Sequence, residues 1–311
     1  MPKIFLKIAG ITVCIESRQS PQKEDPADIY LNRFVLKNKP RKADINIGLK
    51  VTPRYRQFER REFFISQQQA QGQKSVNGPG EQRLECGLNW RIGGSGRKIL
   101  IEGGSANKYQ LLIDKKLTCG ELLVINKTGA WVLKDIIRGF LQVLLIYYLA
   151  KKHQGVVFHA AGIADSGNGY LFAGKSGSGK STISRIWFKG KGAGVLSDDR
   201  VIIKKEKHGF YMFPTPWNSG YPAYLINQKR LGKIKLAKLF FIHHRKTNLA
   251  KALSPAKAAA YFSQAIFFSF WDKECLDATF DFLEEIINNK PCYRLGFKNN
   301  RKIINYINHL Q

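Results

Sequence analysis

The run Gly174-Lys175-Ser176-Gly177-Ser178-Gly179-Lys180-Ser181 spells GxxxxGK[ST], a spacing whose chemistry is phosphate binding. Gly174, Gly177 and Gly179 let the chain turn tightly enough for successive backbone N–H groups to converge on phosphate oxygens. The helix expected to open near Lys180 adds its positive end. Lys180 would set an ammonium against the β- and γ-phosphates, Ser181 would offer a hydroxyl to Mg²⁺, and Thr182 would bond a phosphate behind them. ATP or GTP with Mg²⁺ is therefore the expected ligand set, and no base-reading motif separates the two nucleotides. The second element is Asp198-Asp199, at the end of a short apolar run 18 residues beyond Lys180. One carboxylate can hold Mg²⁺ while the other accepts a proton from an attacking hydroxyl, the two tasks that phosphoryl transfer leaves to acids. The third is His159, on an apolar run just before the loop, where an imidazole would orient or proton-couple to an aspartate or simply fill the core. His243 and His244 have no acid or cysteine nearby at ligand spacing, so no metal-binding histidine cluster is expected.

These groups need elements to hold them. Up to about residue 128, strand-like runs over 4–15, 43–51, 62–66, 83–92, 98–102 and 108–113 alternate with Gly, Pro, Asn and Asp clusters, which predicts a mostly β region. The Gln-rich stretch 67–80 reads as a loop. From Leu133 the apolar positions recur as Leu133, Ile136, Ile137, Phe140, Leu141, Leu144, Leu145 and Tyr148, the stripe of one packed helix. The runs 155–163 and 170–173, separated by Ala-Asp-Ser-Gly-Asn-Gly, predict a hairpin or tight strand connection leading into the loop. Residues 258–271 read as buried helix. The expected organisation is a β-rich region of unknown role over 1–128 and a nucleotide-binding domain over 129–311.

The chain has 311 residues, 44% hydrophobic and 24% charged, with 51 Lys and Arg against 23 Asp and Glu for a net +28. This composition excludes a collagen, a coiled-coil rod and wholesale disorder. The positive excess runs through both halves and would steer anionic partners toward the surface without choosing among them. Five scattered cysteines with no CxxC indicate neither a disulfide framework nor a zinc site, so a reducing, cytoplasmic location is expected. The N-terminal ten residues read as a first strand rather than a leader. The apolar window 140–150 is shorter than the roughly twenty residues that span a bilayer, so no transmembrane segment is expected.

Taken together, the His-bearing strand, the hairpin, LFAGKSGSGKST, the short helix and LSDDRVII resemble the HPr kinase/phosphorylase family and its relatives. The resemblance is firm over 155–203. It continues more thinly through Phe213-Pro-Thr-Pro-Trp217, the run 239–242 and Cys292-Tyr-Arg-Leu-Gly-Phe297, which look like the later landmarks of HPr-kinase-related proteins of peptide-maturation cassettes. It implies an α/β, overall α+β, P-loop fold shared with phosphoenolpyruvate carboxykinase. It also implies a Mg²⁺-dependent transferase in which Asp198 serves the metal, Asp199 serves as base, and His159 stands beside that base. The Glu-x-Arg-Gly-x-Gly signature that helps true HPr kinases dock HPr is absent after Asp199, so HPr is not the expected acceptor. The cassette pattern GTPWHG appears as Pro214-Thr-Pro-Trp217-Asn-Ser-Gly220, with Trp217 either lining an acceptor pocket or packing as a lid.

The leading expectation is a kinase that moves a γ-phosphoryl group to a hydroxyl of a peptide, protein or small molecule, with an acidic or phosphorylated acceptor suited to the charge. A non-catalytic nucleotide-binding regulator or assembly factor is second. A nucleic-acid-associated ATPase is third, because no RNP-like aromatic motif, zinc-finger spacing or basic helix accompanies the charge. A ring-like homo-oligomer would fit the resemblance.

Overall fold

The computed structural model describes residues 1–22, 28–56, 61–66, 90–95, 98–103, 108–189, 193–218 and 232–310. The 67–80 loop, most of the 83–92 strand expectation and the Ser219-Gly220 end of the tryptophan segment lie outside the described residues. The protein is a mixed α/β chain of the α+β class with two separate sheets. It divides into two compact units, Met1–Tyr148 and Leu149–Gln311.

The first unit contains strands β1 (Lys3–Ile8), β2 (Ile11–Ser17), β3 (Ile45–Thr52), β4 (Arg61–Ser66), β5 (Trp90–Ser95), β6 (Lys98–Gly103), β7 (Lys108–Asp114) and β8 (Cys119–Ile125), with a one-turn helix α1 (Asp28–Leu31) after β2. They form one sheet in the order β1-β2-β3-β8-β7-β6-β5-β4. The 4–15 run is two strands rather than one. Ala9 and Gly10 both take positive φ, 49° and 82°, and close a two-residue turn between Ile8 and Ile11, as a type I′ hairpin requires. In β3 the period-2 pattern buries Ile45, Ile47 and Leu49. The predicted 133–148 helix is also two: α2 (Leu133–Arg138) and α3 (Phe140–Lys151). Gly139, at φ −92° and ψ −98°, leaves helical geometry between them, so the apolar stripe continues while the backbone does not.

The second unit carries the site. Its elements are β9 (Gly155–Asp165), β10 (Asn168–Ala173), α4 (Lys180–Phe188), β11 (Ala193–Ser197), β12 (Arg200–Glu206), β13 (Gly209–Phe213), β14 (Ile234–His244), β15 (Leu249–Ala252), α5 (Pro255–Phe262), β16 (Ile266–Phe267), α6 (Lys273–Asn289), β17 (Cys292–Phe297) and α7 (Lys302–Asn308). The pairings run from β9 through β12, β13 and β14 to β10 and back to β9. Strand β10 lies parallel to β14, and β14 parallel to β17. The β9–β10 hairpin closes through Ser166 and Gly167, at φ 49° and 81°, again a type I′ turn.

The core of this unit joins Phe158, Leu171, Leu239 and Phe241 from the strands to Phe262, Phe282 and Ile286 from the helices. Helix α6 buries Cys275, Ala278, Thr279, Phe282, Leu283, Ile286 and Ile287, a stripe at helical spacing. Its first turn is capped by the Asp272 side chain, which accepts from the Cys275 N–H at 3.2 Å. The 258–271 window departs from the expected helix: α5 stops at Phe262, and Ile266-Phe267 is a short strand paired with Phe158 and Val157 of β9. Among the described residues no helix is long and apolar enough to cross a membrane.

Candidate functional site

Residues 174–179 leave the end of β10 and enter α4, the strand–loop–helix arrangement expected of the motif. Gly177 and Gly179 take φ of 76° and 102°, in the left-handed region open to glycine at little cost. At Gly179 a Cβ would also come within 2.5 Å of the Phe297 ring and 2.9 Å of the His244 ring. At Gly174 a Cβ would meet Ser178 Oγ at 2.5 Å, so only glycine leaves the inside of the loop open. The far end of α4 is pinned by Trp187, which packs on Phe172 at 5.3 Å and donates its indole N–H to Asp165 Oδ2 at 3.1 Å.

Three features suit this loop to an anion. The Ser178 hydroxyl is buried with no hydrogen-bond partner. No side chain caps the first turn of α4, whose N–H groups have no acceptor within the helix. Lys180 is 8% exposed and donates its ammonium to the carbonyl oxygens of Gly174 and Lys175 at 2.8 and 3.1 Å. Lys175 and Ser176 are exposed, while Ser181 and Thr182 are half-buried in the first turn of the helix.

The acidic pair sits on the turn between β11 and β12. His159 of β9 pairs with Arg200 of β12, and the Ala160 N–H donates to the Asp199 carbonyl at 2.9 Å. That register brings His159 Nδ1 to Asp199 Oδ1 at 3.1 Å, while Arg200 donates a hydrogen bond to Asp199 Oδ2. Burial pushes the Asp199 carboxyl up, but the His159 hydrogen bond and the charges of Arg200, His159 and Lys180 outweigh it and hold the carboxyl below its ordinary value. The pairing of Ala173 with Ala160 sets the start of the loop beside this turn, and Lys180 adds to the charges acting on Asp199. Asp198 is 3% exposed, and its N–H donates to Asn218 Oδ1 at 3.4 Å.

The turn is braced from beneath. Ser197 Oγ accepts from the N–H groups of Asp199 and Arg200 at 3.2 and 3.1 Å and lies 2.9 Å from Asn218 Oδ1 and 3.0 Å from the Trp217 carbonyl. Thr215 donates its hydroxyl to the Arg200 carbonyl at 2.5 Å. Trp217 itself is 2% exposed, so of its two readings the structure supports packing. Arg200 is buried over the Phe267 ring at 5.1 Å. The same ring meets His159 edge-on at 6.3 Å.

Two contributors escaped the sequence reading. His244 Nε2 lies 3.1 Å from the Gly177 carbonyl and its ring packs on Phe297 at 5.3 Å. Phe267 was hidden in an apolar run that resembles helix. Their only local signal is a polar or aromatic residue at a strand end. Among the described residues no group of three or more His, Cys, Asp or Glu converges to hold a metal ion. A Mg²⁺ ion here would draw on Asp198, the Ser181 hydroxyl, phosphate oxygens and water, the sparse protein ligation usual for Mg²⁺ with nucleotides. Burial pushes the thiols of Cys275 and Cys292 up to about 12, so neither is a nucleophile at neutral pH.

Fold and site together define a mixed α/β protein in which a GxxxxGK[ST] loop faces a histidine-bound aspartate. Residues 124–295 match the family described as SynChlorMet cassette protein ScmC. That match spans more than half of the chain, which therefore belongs to this family. The description fits a peptide-maturation cassette context. Strands β1–β7 precede the matched range. No curated protein matches the chain.

Proposed function

We propose that this protein is a phosphotransferase of the HPr-kinase-like type, with a fold akin to phosphoenolpyruvate carboxykinase, that moves the γ-phosphoryl of ATP or GTP to a hydroxyl other than that of HPr. The acceptor is a peptide, protein or small molecule, and the location is cytoplasmic. The observation that carries the reading is that two motifs distant in sequence adjoin: Asp199, bound by His159, lies where the pairing of Ala160 with Ala173 brings β9 beside the start of the loop. In this reading phosphate oxygens displace the carbonyls that now hold the Lys180 ammonium. Ser178 and the uncapped first turn of α4 take the remaining oxygens. Ser181 and Asp198 would hold Mg²⁺, which would supply neutralisation of phosphate charge. Asp199 stays ionised, orients the acceptor hydroxyl and takes its proton, and His159 fixes which carboxylate oxygen faces it. Little basicity is needed, because the transition state of phosphoryl transfer is largely dissociative.

The test is transfer of label from γ-labelled ATP and GTP with Mg²⁺ into peptide, protein and metabolite fractions of the source cell. Asp199→Asn should retain nucleotide and slow transfer about 10²-fold or more, the scale of a positioned acid–base group. Lys180→Ala should weaken nucleotide binding itself, by about 1.5–3 kcal/mol for the loss of a charged hydrogen bond. Equal loss of binding in both variants would remove the roles assigned. A second reading, a nucleotide-binding regulator, is favoured by one feature: Arg200 already occupies the second oxygen of Asp199. Tight nucleotide binding with no label moved in any fraction would select it.

A further inference from the structure

A second concentration of charge lies across the ends of three neighbouring strands. In the β14–β17 register His243 pairs with Gly296 and Phe241 with Arg294, and β15 sets Lys251 directly opposite Arg294. Partners across a ladder share a face, as do residues two apart along a strand, so His243, Arg294 and Lys251 point the same way. Arg245 joins them: a Cβ built on Gly296 would meet Arg245 Cδ at 2.7 Å and His243 Nε2 at 3.2 Å. The guanidinium and imidazole side chains therefore lie together over the space that a larger residue at 296 would take. Arg294 is steadied over the Tyr261 ring at 5.7 Å.

This face lacks a counter-charge. The charged groups that act on His243 are Arg294, Arg245 and His244, with no carboxylate among them. Among the described residues neither Arg245, Arg294 nor Lys251 forms an ion pair with an acid. Like charges set directly opposite on paired strands repel, and His243 Nδ1 is buried with no hydrogen-bond partner. An oxyanion would answer all of these at once, since two guanidinium forks suit a carboxylate or phosphate.

Its place relative to the loop is set by register. Ala160, Ala173 and Phe241 are partners across β9, β10 and β14, so His159 and His243 lie at the same end of the sheet but, one and two residues beyond that level, on opposite faces. The backbones there are two strand spacings apart, about 10 Å. We propose that His243, Arg245 and Arg294 form an oxyanion-recognition site that holds a carboxylate or phosphate group. The site is independent of the phosphotransferase reading.

The experiment titrates inorganic phosphate and, separately, succinate into the full chain with the loop saturated by a non-hydrolysable ATP analogue and Mg²⁺, at constant ionic strength. Heat of binding and the His243 ring resonances are followed. Binding of either anion that shifts His243, and that falls about tenfold or more in the Arg245→Ala/Arg294→Ala variant with analogue affinity unchanged, is the expected result. Phosphate alone would point to a phosphate-bearing ligand, and succinate to a carboxylate-bearing one. Should the double variant misfold, Arg294→Lys, which keeps the charge but loses the fork, must still weaken binding. No binding of either anion, or equal binding by native and variant chains, would overturn the site. If the analogue itself fails to bind, the nucleotide reading falls, and the same titration without it still decides the anion site.

Discussion

The Asp199 carboxyl is held ionised by its neighbours: His159 and Arg200 each take one oxygen, and Lys180 adds its field. Because its folded value is depressed, the group contributes stability that is present above the unfolded carboxylate value of about 3.9 and is lost as pH falls through the lower, folded one. Native protein should therefore lose stability below about pH 4 more steeply than Asp199→Asn, read as the urea midpoint against pH. Parallel curves would show that the ion pair contributes no proton linkage. At this scale the loop residues were legible, because Gly174, Gly179 and Lys180 act through their own backbone and side-chain chemistry. The burial of Arg200 was not, because it depends on Phe267, a residue 67 positions away that itself reads as helix.

Strand β9 is the element that assembles the site, since it pairs with β10, β11, β12 and β16. Its register with β12 is what sets His159 beside Arg200 and Asp199. Gly155 locks that register, because a Cβ there would come within 2.3 Å of the Ile203 carbonyl and 2.9 Å of the Lys204 side chain. Gly155→Ala should lower stability by about 1–3 kcal/mol, the cost of overpacking, as measured by denaturant midpoint. It should also disturb the His159 ring resonance; an unchanged midpoint and resonance would mean that the two strands separate freely at that end. The hairpin into the loop was readable from Ser-Gly turn chemistry. Neither the break at Gly139 nor the strand at Ile266-Phe267 was, since an apolar run carries the same letters whether it packs as helix or as strand.

With 51 basic against 23 acidic side chains, the folded chain concentrates like charge, and its self-repulsion is relieved when salt shortens the Debye length to about 10 Å at 0.1 M. Its unfolding temperature should accordingly rise as sodium chloride is added. A flat or falling profile would show that these charges are already compensated by geometry. The two units divide inside α3, and the ScmC match, from residue 124, covers the loop-bearing unit through residue 295 together with the end of the first unit. By itself the sequence determined the loop, the turn chemistry of its hairpin and the presence of an acidic pair, because each is encoded in the φ/ψ freedom and donors of a few consecutive residues. Only the tertiary structure decided that Arg200 is buried against Asp199, that Trp217 is packed away, and that His243, Arg245 and Arg294 share a face. Those meetings depend on strand pairings between residues tens of positions apart, and such registers are set by long-range packing rather than by any local pattern.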